Sequence, residues 1–168
     1  MPAAPFKILV GGAREKTAYA VWPAQHLDVL ALTLHANPVF ANTKLYDISA
    51  YAAPDAAVVV YYIFSVPIFS TWLVVFVGAS TRKTSTRAGV VSIETLFKSA
   101  AWAEREASEL FGVWFFFKKN NRKLITDYFF KIYPMLKWVP SIGFSEVYVS
   151  AEGYFANRPV KVFNSALS

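Results

Sequence analysis

The chain has 168 residues, of which 55% are hydrophobic, 17% aromatic and 17% charged, and its formal net charge is +6. Soluble domains are usually about 45–50% apolar and about 25% charged, so this chain must bury its excess apolar surface against lipid or other proteins. It contains no cysteine, which excludes disulfides, iron–sulfur ligation, zinc thiolate sites and thiol catalysis. The excess of basic residues is compatible with acidic proteins, anionic lipid or nucleic acid as partners.

The first predicted element is a helix over residues 22–36. Pro23 suits a first helical turn, and Leu27, Leu30 and Leu34 form an apolar stripe at helical spacing. The Asn-Pro pair that follows ends the helix, because a residue before proline disfavours helical backbone. A stripe of this kind is typical of a helix that packs on a core.

The two histidines of the chain, His26 and His35, lie nine residues apart. On a continuous helix this spacing puts them on roughly opposite faces, so they cannot share a metal ion there. The first twelve residues hold one basic side chain, Lys7, and a short apolar patch. That composition predicts neither a secretory signal nor an arginine-rich transit peptide.

Residues 40–51 alternate weakly and predict a strand, and the segment 56–81 carries no charge. Its length would suffice for a membrane span, which needs about 20 apolar residues. Residues 58–64 and 72–77, however, are dense in β-branched and aromatic side chains. Between them, 65–71 contains a proline and three hydroxyl residues. The pattern favours a hairpin of two buried strands, and a single transmembrane helix is the alternative.

A second helical region begins at residue 92. Residues 92–97 place apolar side chains on one helical face, and Ser99 is positioned to cap a helix over 102–110. Gly112 stands where a glycine commonly ends a helix in the left-handed conformation. The pattern therefore predicts two short helices in succession, of which the second stops at residue 112.

The charged residues of the second helix could suggest acid–base chemistry. Glu104 and Glu106 are two residues apart, which on a helix turns them about 200° from each other, so they cannot flank one bond as paired catalytic carboxylates. Arg105 can pair with Glu109 one turn later. The pattern indicates an amphipathic helix with surface charges.

Beyond residue 112 the chain is basic and aromatic, with little periodicity. The basic run 118–123 precedes a segment in which lysines alternate with aromatic residues, namely Tyr128, Phe129, Phe130, Tyr133 and Trp138. Cations for phosphate and rings for stacking are typical of a surface that binds single-stranded nucleic acid. The same composition suits an extended arm docked on an acidic protein, and the pattern leaves both possibilities open.

Three linked motifs in this half of the chain resemble a known family. Residues 99–113 read SAAWAEREASELFGV, residues 122–128 read RKLITDY, and Pro134, Lys137, Pro140 and GFSEV at 143–147 follow. In this register they resemble the 30-kilodalton subunit of respiratory complex I, NADH:ubiquinone oxidoreductase. Upstream, residues 45–48 and 59–62 resemble two successive strands of that family, so the resemblance covers residues 40–150.

The chain also departs from the family pattern. Glu109 replaces the usual aspartate, and Lys118-Lys119 replaces a histidine–proline pair. The charge-rich turn between the two middle strands has become the apolar segment 66–69. These departures indicate a divergent member of the family, encoded in a mitochondrial genome.

The resemblance implies an α+β fold, with a small mixed β-sheet, helices packed on one face and an extended C-terminal arm. It divides the chain into a core domain at 1–112 and an arm at 113–168. It also implies that the family motifs form a subunit interface, comprising Trp102, Glu104, Arg105, Glu106, Leu110, Phe111, Gly112, Arg122, Thr126, Asp127, Tyr128, Pro134, Lys137, Trp138 and Pro140. Arg105 is expected to be buried and paired with Glu109 or Asp127.

The function implied by the resemblance is that of a structural core subunit in the quinone-reducing module of the hydrophilic arm. Such a subunit supports electron transfer from NADH to ubiquinone in a proton-translocating enzyme, with no active site, cofactor or metal of its own. The flavin (FMN) and iron–sulfur clusters of the complex belong to other subunits. The expected location is the matrix side of the mitochondrial inner membrane, or the cytoplasmic face of the plasma membrane in a bacterium.

The partners implied are other complex I subunits, especially the 49-kilodalton quinone-site subunit on which the arm would dock. Tyr128, Tyr133 and Trp138 are expected to anchor it, with Lys118 and Lys119 as minor rim contacts. The apolar pattern of residues 64–72 predicts cover by a further subunit of this lineage. No nucleic acid and no membrane span are expected. The alternatives are an organellar RNA-binding or ribosomal protein and a single-span membrane protein.

Overall fold

The computed structural model describes residues 7–10, 17–40, 42–53, 58–79, 89–140 and 142–160. The strands in these ranges are β1 (Lys7–Val10), β2 (Thr17–Trp22), β3 (Lys44–Ala52), β4 (Val58–Val66), β5 (Thr71–Ala79), β6 (Val90–Val91), β7 (Phe115–Phe116), β8 (Ser145–Val149) and β9 (Phe155–Pro159). The helices are α1 (Leu27–Ala36), which follows a short 3-10 turn at Ala24–His26, and α2 (Ala100–Phe111).

Five strands form one mixed sheet in the order β1-β2-β5-β4-β3. β2 and β5 run parallel, and the other neighbours are antiparallel. Residues of β4 are buried at alternate positions from Val58 to Val66, so one face of this central strand points into the core. The predicted α+β class with a mixed sheet is confirmed.

The core lies between this sheet and the two helices. α1 buries Leu27, Ala31 and Leu34 against it, while Leu30 is only partly buried. α2 buries Ala100, Glu104 and Ala107, a spacing that places them on one helical face. Helices on one face of the sheet are thus confirmed, but a carboxylate occupies the centre of the buried face of α2.

The uncharged segment forms two strands, as the hairpin interpretation predicts. β4 and β5 pair along their whole length, from Val58 with Ala79 to Val66 with Thr71, around a tight turn in which Ser70 has a φ of +48°. The alternative of a transmembrane helix over this segment is wrong. In the part of the chain that the structure describes, no helix is long and apolar enough to cross a membrane.

The predicted helix at 92–97 is wrong. The chain forms β6 and then a series of turns, in which the N–H groups of Leu96 and Phe97 both bond to the carbonyl of Ile93. The apolar side chains are still buried, since Ile93 and Phe97 belong to the core. The Ser92 hydroxyl and the Ile93 N–H donate to the carboxylate of Glu104, so the start of these turns is held against α2.

Beyond α2 the chain first returns to the core. β7 pairs parallel with β6, and Val113 and Phe115 are buried. Residues 117–140 and 142–144 then contain neither helix nor strand, and β8 pairs with β9 as a two-stranded sheet. The proposed division at residue 112 remains a prediction, although the core includes these first residues of the arm.

Candidate interface on helix α2 and the segment 118–126

Helix α2 lies between the core and the segment 118–126, which we call the strap. Glu104, Arg105 and Glu109 each bond to residues of the strap. Ending α2 at Gly112 is possible because this residue has a φ of +74°, which glycine adopts without strain. The side chains of α2 thus hold a non-helical segment in place.

The first contact is a buried ion pair between Glu104 and Lys118. The Lys118 Nζ atom lies 3.0 Å from Glu104 Oε2, and neither side chain has any exposed surface. Glu104 also accepts hydrogen bonds from the Ser92 hydroxyl at 2.6 Å and from the Ile93 N–H at 3.0 Å. Lys118 donates in addition to the Ala101 carbonyl at 3.0 Å. Both charges are therefore compensated, as a buried pair requires.

Tyr62 of β4 lies beside this pair. Its hydroxyl is buried and has no hydrogen-bond partner within the described residues. Burial, together with the nearby negative charge of Glu104, raises the pKa of the Tyr62 phenol well above its ordinary value. The phenol therefore stays neutral at physiological pH.

Arg105 makes the second contact, and the predicted carboxylate partner is wrong. Its Nε donates to the Arg122 carbonyl at 2.9 Å and its Nη2 to the Lys123 carbonyl at 3.3 Å. The guanidinium also lies 5.5 Å from the centre of the Trp102 ring. Arg105 is half-buried, and it recognises the backbone of the strap because the planar guanidinium can serve two carbonyls at once.

The third contact involves Glu109, which the sequence interpretation assigned to a surface pair. Its carboxylate accepts the N–H groups of Leu124 and Ile125, at 2.8 to 3.1 Å, and the Thr126 hydroxyl at 2.8 Å. Burial alone would raise the pKa of Glu109, but hydrogen bonds from Ile125, Thr126 and Leu124 outweigh it and lower the pKa below its ordinary value. Glu109 is therefore firmly ionised at neutral pH.

Residues after the strap pack on the end of α2. A Cβ atom added at Gly112 would lie 2.7 Å from the ring of Tyr133, so this glycine also permits a close approach. The Met135 N–H donates to the Leu110 carbonyl at 3.1 Å, and Leu136 packs against the core. The C-terminal end of the helix therefore fixes the course of residues 133–136 as well.

The predicted interface residues divide into two groups. Buried or half-buried are Glu104, Arg105, Leu110, Phe111, Gly112, Thr126, Pro134 and Pro140; exposed are Trp102, Glu106, Arg122, Asp127, Tyr128, Lys137 and Trp138. Most of the first group lies on α2, at its end or in the strap, while Pro134 and Pro140 lie further along the arm. The aromatic members of the second group, Trp102, Tyr128 and Trp138, are exposed. Their role as a subunit interface remains a prediction.

Sequence reasoning missed the inward position of Lys118 and the part played by Ser92 and Ile93. Lys118 was expected to be a rim lysine, but it belongs to the core. The signal that could have found it is the apolar run 113–117 directly before it, of which Val113 and Phe115 return to the core. Among the described residues, no group of three or more His, Asp or Glu side chains could hold a metal ion.

Comparison with known proteins identifies the family. A protein of Paramecium primaurelia named NADH-ubiquinone oxidoreductase subunit 9 is 39% identical over 77 residues, which is 44% of this chain and 37% of that protein. The protein of that name from Acanthamoeba castellanii is 46% identical over 65 residues, 39% of this chain and 33% of that protein. The chain therefore matches only about a third of the length of these curated relatives.

The fold also occurs in a solved structure. The chain superposes on one chain of the membrane-bound sulfane sulfur reductase, an archaeal respiratory membrane complex, with a TM-score of 0.60 and 18% identity. The superposition covers 80% of this chain and 77% of that one. The model of the family described as respiratory-chain NADH dehydrogenase, 30 Kd subunit, matches residues 20–145, which is more than half of the sequence. This chain belongs to that family.

Proposed function

We propose that this chain is a structural subunit of the quinone-reducing module in the hydrophilic arm of complex I. It supports electron transfer from NADH to ubiquinone by holding neighbouring subunits in place, without an active site or a cofactor of its own. FMN and the iron–sulfur clusters would reside in other subunits. The proposed location is the matrix face of the mitochondrial inner membrane, or the cytoplasmic face of a bacterial membrane.

One observation carries this proposal: α2 fixes the strap through its backbone. Arg105 binds two strap carbonyls, and Glu109 binds two strap N–H groups and one hydroxyl. These contacts leave the neighbouring aromatic side chains free, since Tyr128 is 68% and Trp138 is 65% exposed. Ordered backbone with uncovered aromatic residues is typical of a preorganised protein interface.

The proposed partner for this surface is the 49-kilodalton quinone-site subunit. Four exposed cations accompany the aromatic residues, namely Lys119, Arg122, Lys131 and Lys137. A surface of this charge fits an acidic partner and gains association rate and orientation from it. Tyr128 and Trp138 are the proposed anchors. Tyr133 is only half-buried but already packs on Gly112, so it contributes to the course of the arm.

A further subunit over the β4–β5 turn is also part of the proposal, with one correction. Ile68 is 64% exposed, and Phe69 and Trp72 are also exposed, so they are available to a partner. Phe64 is not available, because it is fully buried and its ring packs against Phe97 in the core. The proposed contact surface is therefore restricted to the turn and the start of β5.

The test compares assembly with turnover. Arg105→Ala removes both bonds to the strap carbonyls, and we expect it to lower the amount of assembled complex, with normal NADH–quinone turnover per complex. A hydrogen bond that involves a charged group contributes about 1.5–3 kcal/mol to stability. Lys98→Ala is the control, because this cation near the start of the same helix is exposed and does not belong to the proposed docking surface. Normal assembly with reduced turnover would contradict a structural role.

The RNA-binding alternative is tested on the same preparations. Lys118 is buried in its ion pair with Glu104, so this cation of the basic run is not available to bind phosphate. We expect the chain to comigrate with NADH dehydrogenase activity on native gels after nuclease treatment. Binding of RNA that weakens steeply between low and moderate salt would favour the alternative, since phosphate contacts release counterions.

A further inference from the structure

A small cleft lies between α2 and the strap. Arg105, Ser108 and Glu109 line its helical wall, and Arg122 and Lys123 line the wall that the strap forms. The volume of the cleft is about 170 Å³. Sites for cofactors and other drug-sized ligands usually enclose about 300–1,000 Å³. This cleft is therefore suited to a single side chain or a small ion.

The lining of the cleft has an excess of positive charge. It contains three cationic side chains, Arg105, Arg122 and Lys123, and one carboxylate, that of Glu109, so its net charge is +2. Within the part of the chain that the structure describes, none of the three cations forms an ion pair with a carboxylate. Because complementary surfaces match in electrostatic potential, the ligand that fits this cleft is an anion.

The Glu109 carboxylate is already occupied by the strap. Its two oxygens accept the Leu124 N–H, which both share, the Ile125 N–H and the Thr126 hydroxyl. These four contacts use about all of the acceptor sites of an ionised carboxylate. Glu109 therefore holds the strap in place and leaves the arginine side chains of the cleft to a different anion.

The two arginines retain donors for such an anion. A guanidinium has five N–H donors. Arg105 uses one on Nε and one on Nη2 for the strap carbonyls, so both N–H groups of Nη1 have no acceptor among the described residues. Arg122 is exposed and donates through Nε to Asn120 Oδ1 at 3.4 Å. Its two terminal nitrogens can therefore bind a carboxylate through paired N–H groups.

The rest of the lining favours a protein side chain over a free inorganic ion. Trp114, which is 47% exposed, and half-buried Tyr133 also line the cleft. Aromatic rings complement the methylene groups of an acidic side chain, whereas an inorganic anion gains nothing from apolar surface. Arg122 is in addition one of the four exposed cations of the proposed docking surface, so the cleft is continuous with that surface.

We infer that this cleft receives an aspartate or glutamate side chain of the quinone-site subunit, whose carboxylate binds Arg122 and the remaining donors of Arg105. The inference rests on the proposed function, because it takes the partner from it. It deepens that function by naming the chemistry that the partner contributes at one point of the interface. Since α2 already fixes the strap, the cleft is formed before the partner binds, which lowers the entropic cost of docking.

The first test is carbodiimide cross-linking in the assembled complex. A carbodiimide joins an amine to a carboxylate that is in contact with it, and leaves no spacer between them. Arg122→Lys places an amine in the cleft, and wild type, which has no amine at this position, is the control. We expect an amide bond from position 122 to an aspartate or glutamate of the quinone-site subunit, which mass spectrometry of the cross-linked peptides identifies.

The outcomes separate the inference from the proposed function. Coupling of position 122 only to this chain or to a different subunit would overturn the inference and leave the structural role intact. No coupling at position 122, while other lysines of the complex react, would overturn it as well. A wild-type chain that does not enter the complex would overturn both.

The second test reverses the charge and then restores the pair. We expect Arg122→Glu to reduce incorporation into the complex about tenfold or more, because the carboxylate of the partner then meets a like charge. Lys98→Glu is the matched control, since it makes the same charge change at an exposed position outside the docking surface, and it should stay within about twofold of wild type. Changing the partner carboxylate found by cross-linking to lysine should restore the incorporation of Arg122→Glu. Equal incorporation of the two charge variants, or no restoration, would overturn the inference.

Discussion

The core and the arm are both rich in aromatic residues, but these residues are buried in the core and exposed in the arm. In the core, the side chains of Tyr62, Phe64 and Phe115 are buried, and their packing holds the backbone in place. In the arm, Phe117 and Phe129 are exposed, and the strap is held by bonds from α2 to its backbone. The chain thus orders an apolar surface without covering it. That combination suits a subunit whose burial is completed by its neighbours.

The Glu104–Lys118 pair joins these two regions, and breaking it should have the largest effect. Lys118→Met leaves a buried carboxylate without its counter-charge, which we expect to lower the free energy of unfolding by about 3–5 kcal/mol. Urea denaturation followed by tryptophan fluorescence measures this loss. Lys119→Met is the control, because the neighbouring lysine is exposed.

A second substitution tests whether the loss of stability comes from the uncompensated charge. Adding Glu104→Gln to Lys118→Met removes the unpaired charge at position 104 and keeps an oxygen that can accept from Ser92 or Ile93. Glu94, whose Oε2 lies 3.7 Å from Lys118 Nζ, loses its counter-charge in both variants, so it does not affect their difference. We expect the double variant to be more stable than Lys118→Met alone, because the cost lies in the uncompensated charge. A double variant as unstable as the sum of the two single variants would show that the pair is not coupled.

Sequence patterns predicted the parts of the molecule that local and periodic signals determine. The density of β-branched and aromatic residues over 58–64 predicted a buried strand, which forms as β4, and Gly112 ends α2 as expected. The apolar spacing at 92–97 wrongly predicted a helix, and the bonds of Ser92 and Ile93 to Glu104 join residues that are 12 and 11 positions apart. A local sequence pattern does not show which distant residue a side chain will contact in the folded protein.

The candidate interface was predicted in its residues but not in its bonds. The motif residues lie at α2, the strap and the arm, yet Arg105 binds carbonyls and Glu109 binds N–H groups. Charged side chains in a sequence suggest other charged side chains as partners, because backbone groups are present at every position and give no signal. The family motifs therefore identify the residues of the interface, and the bonds between them depend on the folded chain.

The arm aromatic residues provide the next largest expected effect, on docking. Trp138→Ala and Tyr128→Ala remove exposed anchors, and we expect each to weaken incorporation into the complex by about 2 kcal/mol or more, as for interface hot spots. Lys119→Ala should cost at most about 1 kcal/mol, since exposed charge pairs contribute little. Native-gel quantification of the assembled complex measures all three. A greater loss for Lys119→Ala than for Trp138→Ala would contradict an interface anchored by aromatic residues.

Glu109 should give a smaller effect that depends on pH. Glu109→Ala leaves two strap N–H groups and the Thr126 hydroxyl without their acceptor, which we expect to cost about 1.5–3 kcal/mol at neutral pH. Because folding lowers the pKa of Glu109, its stabilisation is present above the unfolded pKa, which is 4.5. It is lost as the pH falls through the lower folded pKa.

Urea denaturation of wild type and Glu109→Ala between about pH 7 and pH 3 measures this difference. We expect the two curves to lie apart at neutral pH and to converge as the pH falls below 4.5. Glu106→Ala is the matched control from the same helix, because Glu106 is exposed, and it should stay within about 0.5 kcal/mol of wild type. A constant separation of the curves at all pH values would show that ionisation of Glu109 does not stabilise the strap.

The smallest expected effect concerns the start of α2, where sequence and structure disagree. An N-cap serine normally contributes about 0.5–2 kcal/mol by accepting an N–H of the first turn. The Ser99 hydroxyl makes no such bond, and its backbone is already helical. It donates instead to the Leu45 carbonyl of β3 at 3.5 Å, at the limit of hydrogen-bond length. Ser99→Ala should therefore change the free energy of unfolding by less than about 0.5 kcal/mol. Urea denaturation decides the matter, because a loss near 1 kcal/mol or more would mean that Ser99 caps the helix after all.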